Sequence, residues 1–128
     1  MREIKFRAWI ENDMNSDINP SMKEVKSIHL NSGNIIVGDQ YGNHSVSMNN
    51  CIIEQYTGLH DDKYEWYHND IITDGKKKWL IDYNEEYLTW VLTNPNMKGT
   101  INLCDINSRL FHRIGNIHEN PELLEVKS

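Results

Sequence analysis

The sequence predicts a mainly β protein: an SH3-like small barrel preceded by an N-terminal β extension and followed by a short C-terminal helix. Three observations point there. Short runs of alternating polarity recur along the chain. Gly, Asn and Asp turn signals interrupt them at a spacing of roughly 8–12 residues. About five strand-like runs follow Asn69, enough for a small barrel. The chain has 128 residues, the size of one domain. Residues 1–56 are therefore read as the extension and 57–128 as the barrel with its helical turn, the two forming one cooperative unit.

From Glu3 to Ile10 the polarity alternates, with Ile4, Phe6, Ala8 and Ile10 on one face and Glu3, Lys5, Arg7 and Trp9 on the other. Trp9 points to partial cover on the second face as well. Glu11 to Met22 is polar and reads as a loop. A strand from Lys23 to Leu30 ends at Asn31-Ser32-Gly33-Asn34, residue types that accept positive φ. Strand character resumes at Ile35 to Val37, turns over Gly38 to Asn43, and returns at Val46, Met48 and Cys51 to Tyr56. Thr57 to Asn69 reads as an irregular, aromatic-rich connection. Asp70 to Thr73 is a strand, and Asp74-Gly75 is the strongest hairpin signal in the chain. Trp79 to Tyr83 and Tyr87 to Thr93 follow, split by Asn84-Glu85-Glu86, with Leu88, Trp90 and Leu92 on one face of the second. Thr100 to Cys104 and Arg109 to Ile117 complete the strands. Asn120-Pro121-Glu122 then places a cap residue, a proline and an acid in the order that starts a helix, which Leu123, Leu124 and Val126 would dock.

Composition excludes several classes. Hydrophobic residues make up 38 % of the chain, but four Trp, six Tyr, two Phe and 15 Ile can build a core, so bulk disorder is not expected. No apolar run approaches the roughly 20 residues that span a bilayer, and no charged-then-apolar leader opens the chain. The net charge of -6 disfavours nucleic acid, whose binding needs clustered Lys and Arg. The basic cluster Lys76, Lys77, Lys78 reads as a solvated turn guarding a sheet edge rather than as an anion patch. Cys51 and Cys104 sit in apolar stretches outside any C-x-x-C pair and read as buried free thiols. The abundance of Asn (16) and Ile (15) suggests an A/T-rich genome.

Catalytic chemistry finds no foothold, so no catalytic residue and no cofactor are assigned. His60, Asp61, His68 and Asp70 lie close in sequence, but strand and loop spacing does not make them converge, and no metal site is assigned. Glu85-Glu86 and Asp61-Asp62 are adjacent acids, not a pair whose pocket would separate their pKa values. Nucleophile elbows, phosphate-cradling loops and H-E-x-x-H are absent from the sequence. The aromatic cluster Tyr56, Tyr64, Trp66, Tyr67 has two readings: satellite core under a loop, or an interaction surface. As a surface, Tyr64, Trp66 and Tyr67 would supply contact area, and Asp61, Asp62 and Glu65 an acidic rim. Arg109 and Arg113 are the candidates for holding a small anionic ligand at a subunit junction.

Three stretches carry a family resemblance. They are Met1-Arg2-Glu3-Ile4-Lys5-Phe6-Arg7-Ala8-Trp9; Gln55-Tyr56-Thr57-Gly58-Leu59 with Asn69-Asp70-Ile71-Ile72; and Ile114-Gly115-Asn116-Ile117-His118-Glu119-Asn120-Pro121-Glu122-Leu123-Leu124. In this order they resemble the YopX family of phage and prophage proteins, across nearly the whole chain. The chain departs from the family pattern after Leu59: the stretch to Asp70 is shorter, and Asn69 stands where Gly is usual. The resemblance implies an SH3-like barrel with added elements, a phage origin, self-association into a homo-oligomer, and no assigned activity. The functional expectation is a non-enzymatic accessory protein in the cytoplasm of an infected or lysogenic bacterium. It would bind a protein partner with a basic surface, such as a repressor or defence protein of the host or of a satellite element. The alternative is an oligomer that binds a nucleotide signal.

Overall fold

The computed structural model describes residues 3–11, 20–40 and 42–125. Residues 12–19 of the expected first loop, Tyr41 of the second turn, Val126 of the C-terminal element, and Met1 and Arg2 lie outside the described residues. The protein is mainly β, with eleven described strands in antiparallel sheets and only short 3-10 turns between them. The chain divides into two compact units, Met1–Gln55 and Tyr56–Ser128.

In the first unit the strand order is β4-β3-β2-β1-β5. It uses β1 (Phe6–Ile10), β2 (Ser21–His29), β3 (Asn34–Asp39), β4 (Gly42–Ser47) and the start of β5 (Ile52–His60). Arg7, Ala8, Trp9 and Ile10 are all buried, so β1, central in its sheet, is covered on both faces. One side packs Ala8 and Ile10 with Ile35 and Val37, against which Val25, Val46 and Ile53 lie. On the other side Arg7 Nε donates to Glu54 Oε1 at 2.8 Å, and Glu54 is fully buried. A charge is tolerated there because each ion satisfies the other.

In the second unit the five-stranded order is β10-β9-β8-β7-β11. The strands are β7 (Asp70–Thr73), β8 (Lys78–Asn84), β9 (Thr89–Thr93), β10 (Ile101–Asn102) and β11 (His112–Asn116). Short β6 (Glu65–Tyr67) pairs with the end of β5, Tyr56 opposite Tyr67. Trp66, Ile72, Trp79, Ile81, Leu92 and Leu103 form the core. Asp74-Gly75 makes the β7–β8 turn, with Gly75 at φ 91.

Several expectations need correction. Among the described residues the five-stranded sheet ends at β10 and β11 without joining them, so the sheet is open and the expected SH3-like barrel closure is not seen. Among the described residues the expected C-terminal helix is a 3-10 turn, Pro121–Leu124, and an element of one turn is not stable as an α-helix on its own. The connection expected to be irregular holds the end of β5 and all of β6. Thr57 Oγ1 donates to the Trp66 carbonyl at 2.8 Å, and Gly58 at φ 92 absorbs the register shift between the strands. Tyr87 and Leu88 belong to the β8–β9 turn, both exposed, with Leu88 at φ 54. Arg109 lies in a 3-10 turn, Ser108–Leu110, ahead of β11. Both cysteines are free, but only Cys51 is half-buried, and burial raises its thiol pKa; Cys104 is exposed.

Candidate functional site

The second unit carries a cleft of about 910 Å³ between the segments 58–64 and 108–113. The first wall is fixed by Asp61. Its Oδ1 accepts the backbone N–H of Lys63 at 2.8 Å and of Tyr64 at 2.9 Å, while its own N–H donates to the Tyr64 carbonyl at 2.9 Å. This is a side chain closing its own turn, which Asp does readily. Its Oδ2 accepts the Trp66 indole N–H at 3.1 Å and the backbone N–H of Arg113 at 2.6 Å. One carboxylate therefore joins the loop to β11. Burial alone would raise its pKa, but the hydrogen bonds from Arg113, Lys63, Trp66 and Tyr64 outweigh it and hold it lowered to about 2.

Arg113 is held equally firmly. Its Nε donates to Asp70 Oδ1 at 2.9 Å, and Asp70 Oδ2 accepts the Tyr67 N–H at 2.8 Å. Asp70 is fully buried. The guanidinium lies 5.0 Å from the centre of the Tyr64 ring, within cation–π range. The second wall is a 3-10 turn in which Asn107 accepts the Arg109 N–H at 3.2 Å and Phe111 N–H reaches the Ser108 carbonyl at 3.2 Å. Phe111 packs on the core, leaving Arg109 and Leu110 exposed.

The two residue sets singled out in the sequence thus meet here: Asp61, Asp62 and Tyr64 on one wall, Arg109 and Arg113 on the other. The aromatic cluster divides. Trp66 is core, and buried Tyr56 packs on half-buried Tyr67 at 5.5 Å between ring centres. Tyr64 is 48 % exposed. Asp62 is exposed and Glu65 half-buried, whereas the Asp61 carboxylate is committed to its four donors. The His and Asp residues weighed as metal ligands are engaged separately. His60 Nδ1 lies 3.0 Å from the Asp61 carbonyl, and His68 Nε2 lies 3.0 Å from Asp82 Oδ1. The His68 ring also meets the Trp90 ring edge-on at 5.6 Å.

Lys63 and Leu110 also line the cleft and were not singled out in the sequence. No spacing signal marks them, because their placement depends on the 108–113 segment coming opposite a loop some fifty positions earlier. The lysine turn borders a smaller hollow of about 380 Å³ with Met97, Leu123 and Leu124. There Lys76 and Lys77 donate backbone N–H groups to Asp74, as a solvated turn does.

Comparison with known proteins adds the following. Residues 5–125 match the family described as YopX protein. Among curated proteins nothing matches the chain. Protein EF1440 from Enterococcus faecalis, solved as a crystal structure, is similar with a TM-score of 0.60 and 23% sequence identity, covering 98% of this chain and 100% of that one. At that identity the likeness is one of fold alone.

Proposed function

The chain belongs to the YopX family, and from that premise we propose that it is a phage-encoded, non-enzymatic accessory protein that acts by binding another protein through the cleft of its second unit. The observation that carries this reading is the exposure of apolar side chains beside charged ones. Leu110 is 66 % and Tyr64 48 % exposed, and they line the same cleft as Lys63, Asp62 and Arg109. Large side chains held by a rigid frame lose little entropy on docking and make good anchors. The frame is the Asp61–Arg113–Asp70 network. The net charge of -6 would steer a partner with a basic surface toward the molecule. A repressor or a defence protein, whose nucleic-acid-binding face is basic, fits that requirement, and covering that face would relieve repression or block an attack.

The test is affinity capture at native salt with the wild-type chain, Tyr64→Ala and Leu110→Asp. A protein retained by the wild type and reduced roughly tenfold or more by both variants supports the reading. Equal capture by all three removes it. The second reading, a nucleotide signal held in the cleft, draws on Arg109 and Arg113 lining one wall with the Tyr64 ring opposite. A ligand bound a hundredfold above its dissociation constant would stabilise the fold by about 2.7 kcal/mol, so a thermal-shift screen of nucleotides against wild type and Arg109→Ala separates the two.

A further inference from the structure

The hollow beside the lysine turn is built from three separate stretches of the second unit. The β7–β8 turn brings Lys76, Lys77 and Lys78, the connection after β9 brings Met97, and the 3-10 turn Pro121–Leu124 brings Leu123 and Leu124. Hydrogen bonds tie the first two together. Asn94 Nδ2 donates to the Lys78 carbonyl at 3.0 Å, and the Met97 N–H donates to the Asn94 carbonyl at 3.0 Å. Thr73 Oγ1 donates to the Lys77 carbonyl at 2.7 Å and holds the turn from its own side. Met97 is 42 % exposed, and Leu123 and Leu124 are half-buried. The hollow therefore shows apolar surface to water.

The ammonium groups around it are unusual for an acid-rich chain. Acidic residues outnumber Lys and Arg by 19 to 13, and Lys5, Lys23 and Lys26 each reach a carboxylate within 3.1 Å. Among the described residues, Lys76, Lys77, Lys78 and Lys98, next to Met97, reach none. Lys77 Nζ donates instead to Met97 Sδ at 3.6 Å, and a thioether is a weak acceptor. Two acids lie close by. Asp74 spends its Oδ1 on the N–H groups of Lys76 and Lys77, and Glu125 lines the hollow. Four cations against two carboxylates leave a local positive excess on a molecule of net charge -6.

We propose that this hollow docks an acidic segment of a partner protein, one that carries a large apolar side chain between Asp or Glu residues. The apolar side chain covers Met97, Leu123 and Leu124, and the flanking carboxylates give the lysines strong acceptors. A volume of about 380 Å³ holds one or two side chains, near the lower end of ligand sites at roughly 300–1,000 Å³. Charge complementarity sets the sign of the occupant. A nucleic acid fits less well, because the net charge of the whole molecule repels an extended polyanion and a phosphate backbone leaves the apolar surface uncovered. The hydrogen bonds of the walls are already made, so docking orders little. The hollow shares no lining residue with the cleft, and the proposal is independent of the reading above.

A displayed library of random dodecapeptides, selected on the immobilised chain, tests this. Peptides with acids flanking a Leu, Met or aromatic residue are expected to be enriched. In fluorescence anisotropy the enriched peptide is expected to bind at least about tenfold more weakly to Lys76→Glu with Lys77→Glu, and to Met97→Ser, all at exposed positions. The same loss is expected when the acids of the peptide become amides or its apolar residue becomes Ala. A titration on the wild type needs no variant: amide shifts are expected over 76–78, 96–98 and 123–125. No enrichment, equal binding by the variants, or shifts confined to another surface overturns the proposal. So does an acid-only peptide that binds as tightly, which would reduce the hollow to bare charge, or a random-sequence DNA duplex that displaces the peptide and shifts the same amides, which would make the lysines a phosphate site.

Discussion

Asp61 gathers four donors on two oxygens, one of them from a residue 52 positions away. Asp61→Asn replaces one accepting oxygen by an amide that donates, so donors on that side lose their acceptor. Hydrogen bonds to charged groups are worth about 1.5–3 kcal/mol, and the variant is expected to lose about 2–3 kcal/mol in chemical denaturation. The pH dependence has a definite sign. The folded-state pKa is lowered from 3.8 to about 2, so the stabilisation is complete above 3.8 and is lost as pH falls through 2. The gap between wild type and Asp61→Asn is therefore expected to close over that interval. Arg7 and Glu54 behave differently, because both are buried. Glu54→Ala leaves a buried cation and is expected to cost about 3–5 kcal/mol, whereas Arg7→Met with Glu54→Leu together recovers most of it. A double-mutant cycle on denaturation midpoints measures both. At this scale the sequence marks the residues but not their duties. Asp61 and Arg113 stand out as charged residues near aromatics, while the contact that joins them is set by tertiary structure.

At the scale of elements, the second and third stretches of family resemblance have physical explanations. In Ile114-Gly115-Asn116, a Cβ at Gly115 would lie 2.4 Å from Asn120 Oδ1 and 3.0 Å from Asn120 Cβ. Rotating the Asn120 amide relieves the first contact but not the second. Buried Asn116 accepts the N–H groups of His118 and Glu119 at 3.0 and 2.9 Å, closing the turn that follows β11. Gly115→Ala is expected to cost about 1–3 kcal/mol, as overpacking does, and to raise amide exchange selectively over 115–120. Asn69, where the resemblance leads one to expect Gly, sits at φ 70, and its N–H and C=O bond to Ile81 and Ile117. Asn is among the residues that accept this conformation. Asn69→Gly is expected to fold with little change, and Asn69→Val to lose about 1–2 kcal/mol by thermal denaturation. Most strands were legible from alternation and turn residues. What was not legible were the joints: Gly58 lets β5 continue past Tyr56, and Leu88 enters a turn despite its apolar side chain. Both depend on backbone conformations that an alternating pattern does not encode.

For the molecule as a whole, the β class was readable because apolar alternation and Gly/Asn turns report it locally. Barrel closure was not readable, since five strands in sequence are compatible with an open or a closed sheet, and the pairing of β10 and β11 is decided far from either. The cleft was half readable for the same reason. Its charged and aromatic members announce themselves by type, and its apolar anchor Leu110 does not. The central claim is that this cleft, and not the remaining surface, meets the partner. Site-specific photo-crosslinking measures it most directly. A photoreactive residue at position 110 is compared with one at Leu30, which is 79 % exposed on the other unit. Expressed during phage growth in the host, the chain is predicted to form one discrete crosslinked species from position 110 and none of that mass from position 30. The same adduct from both positions, or from position 30 alone, would contradict the account.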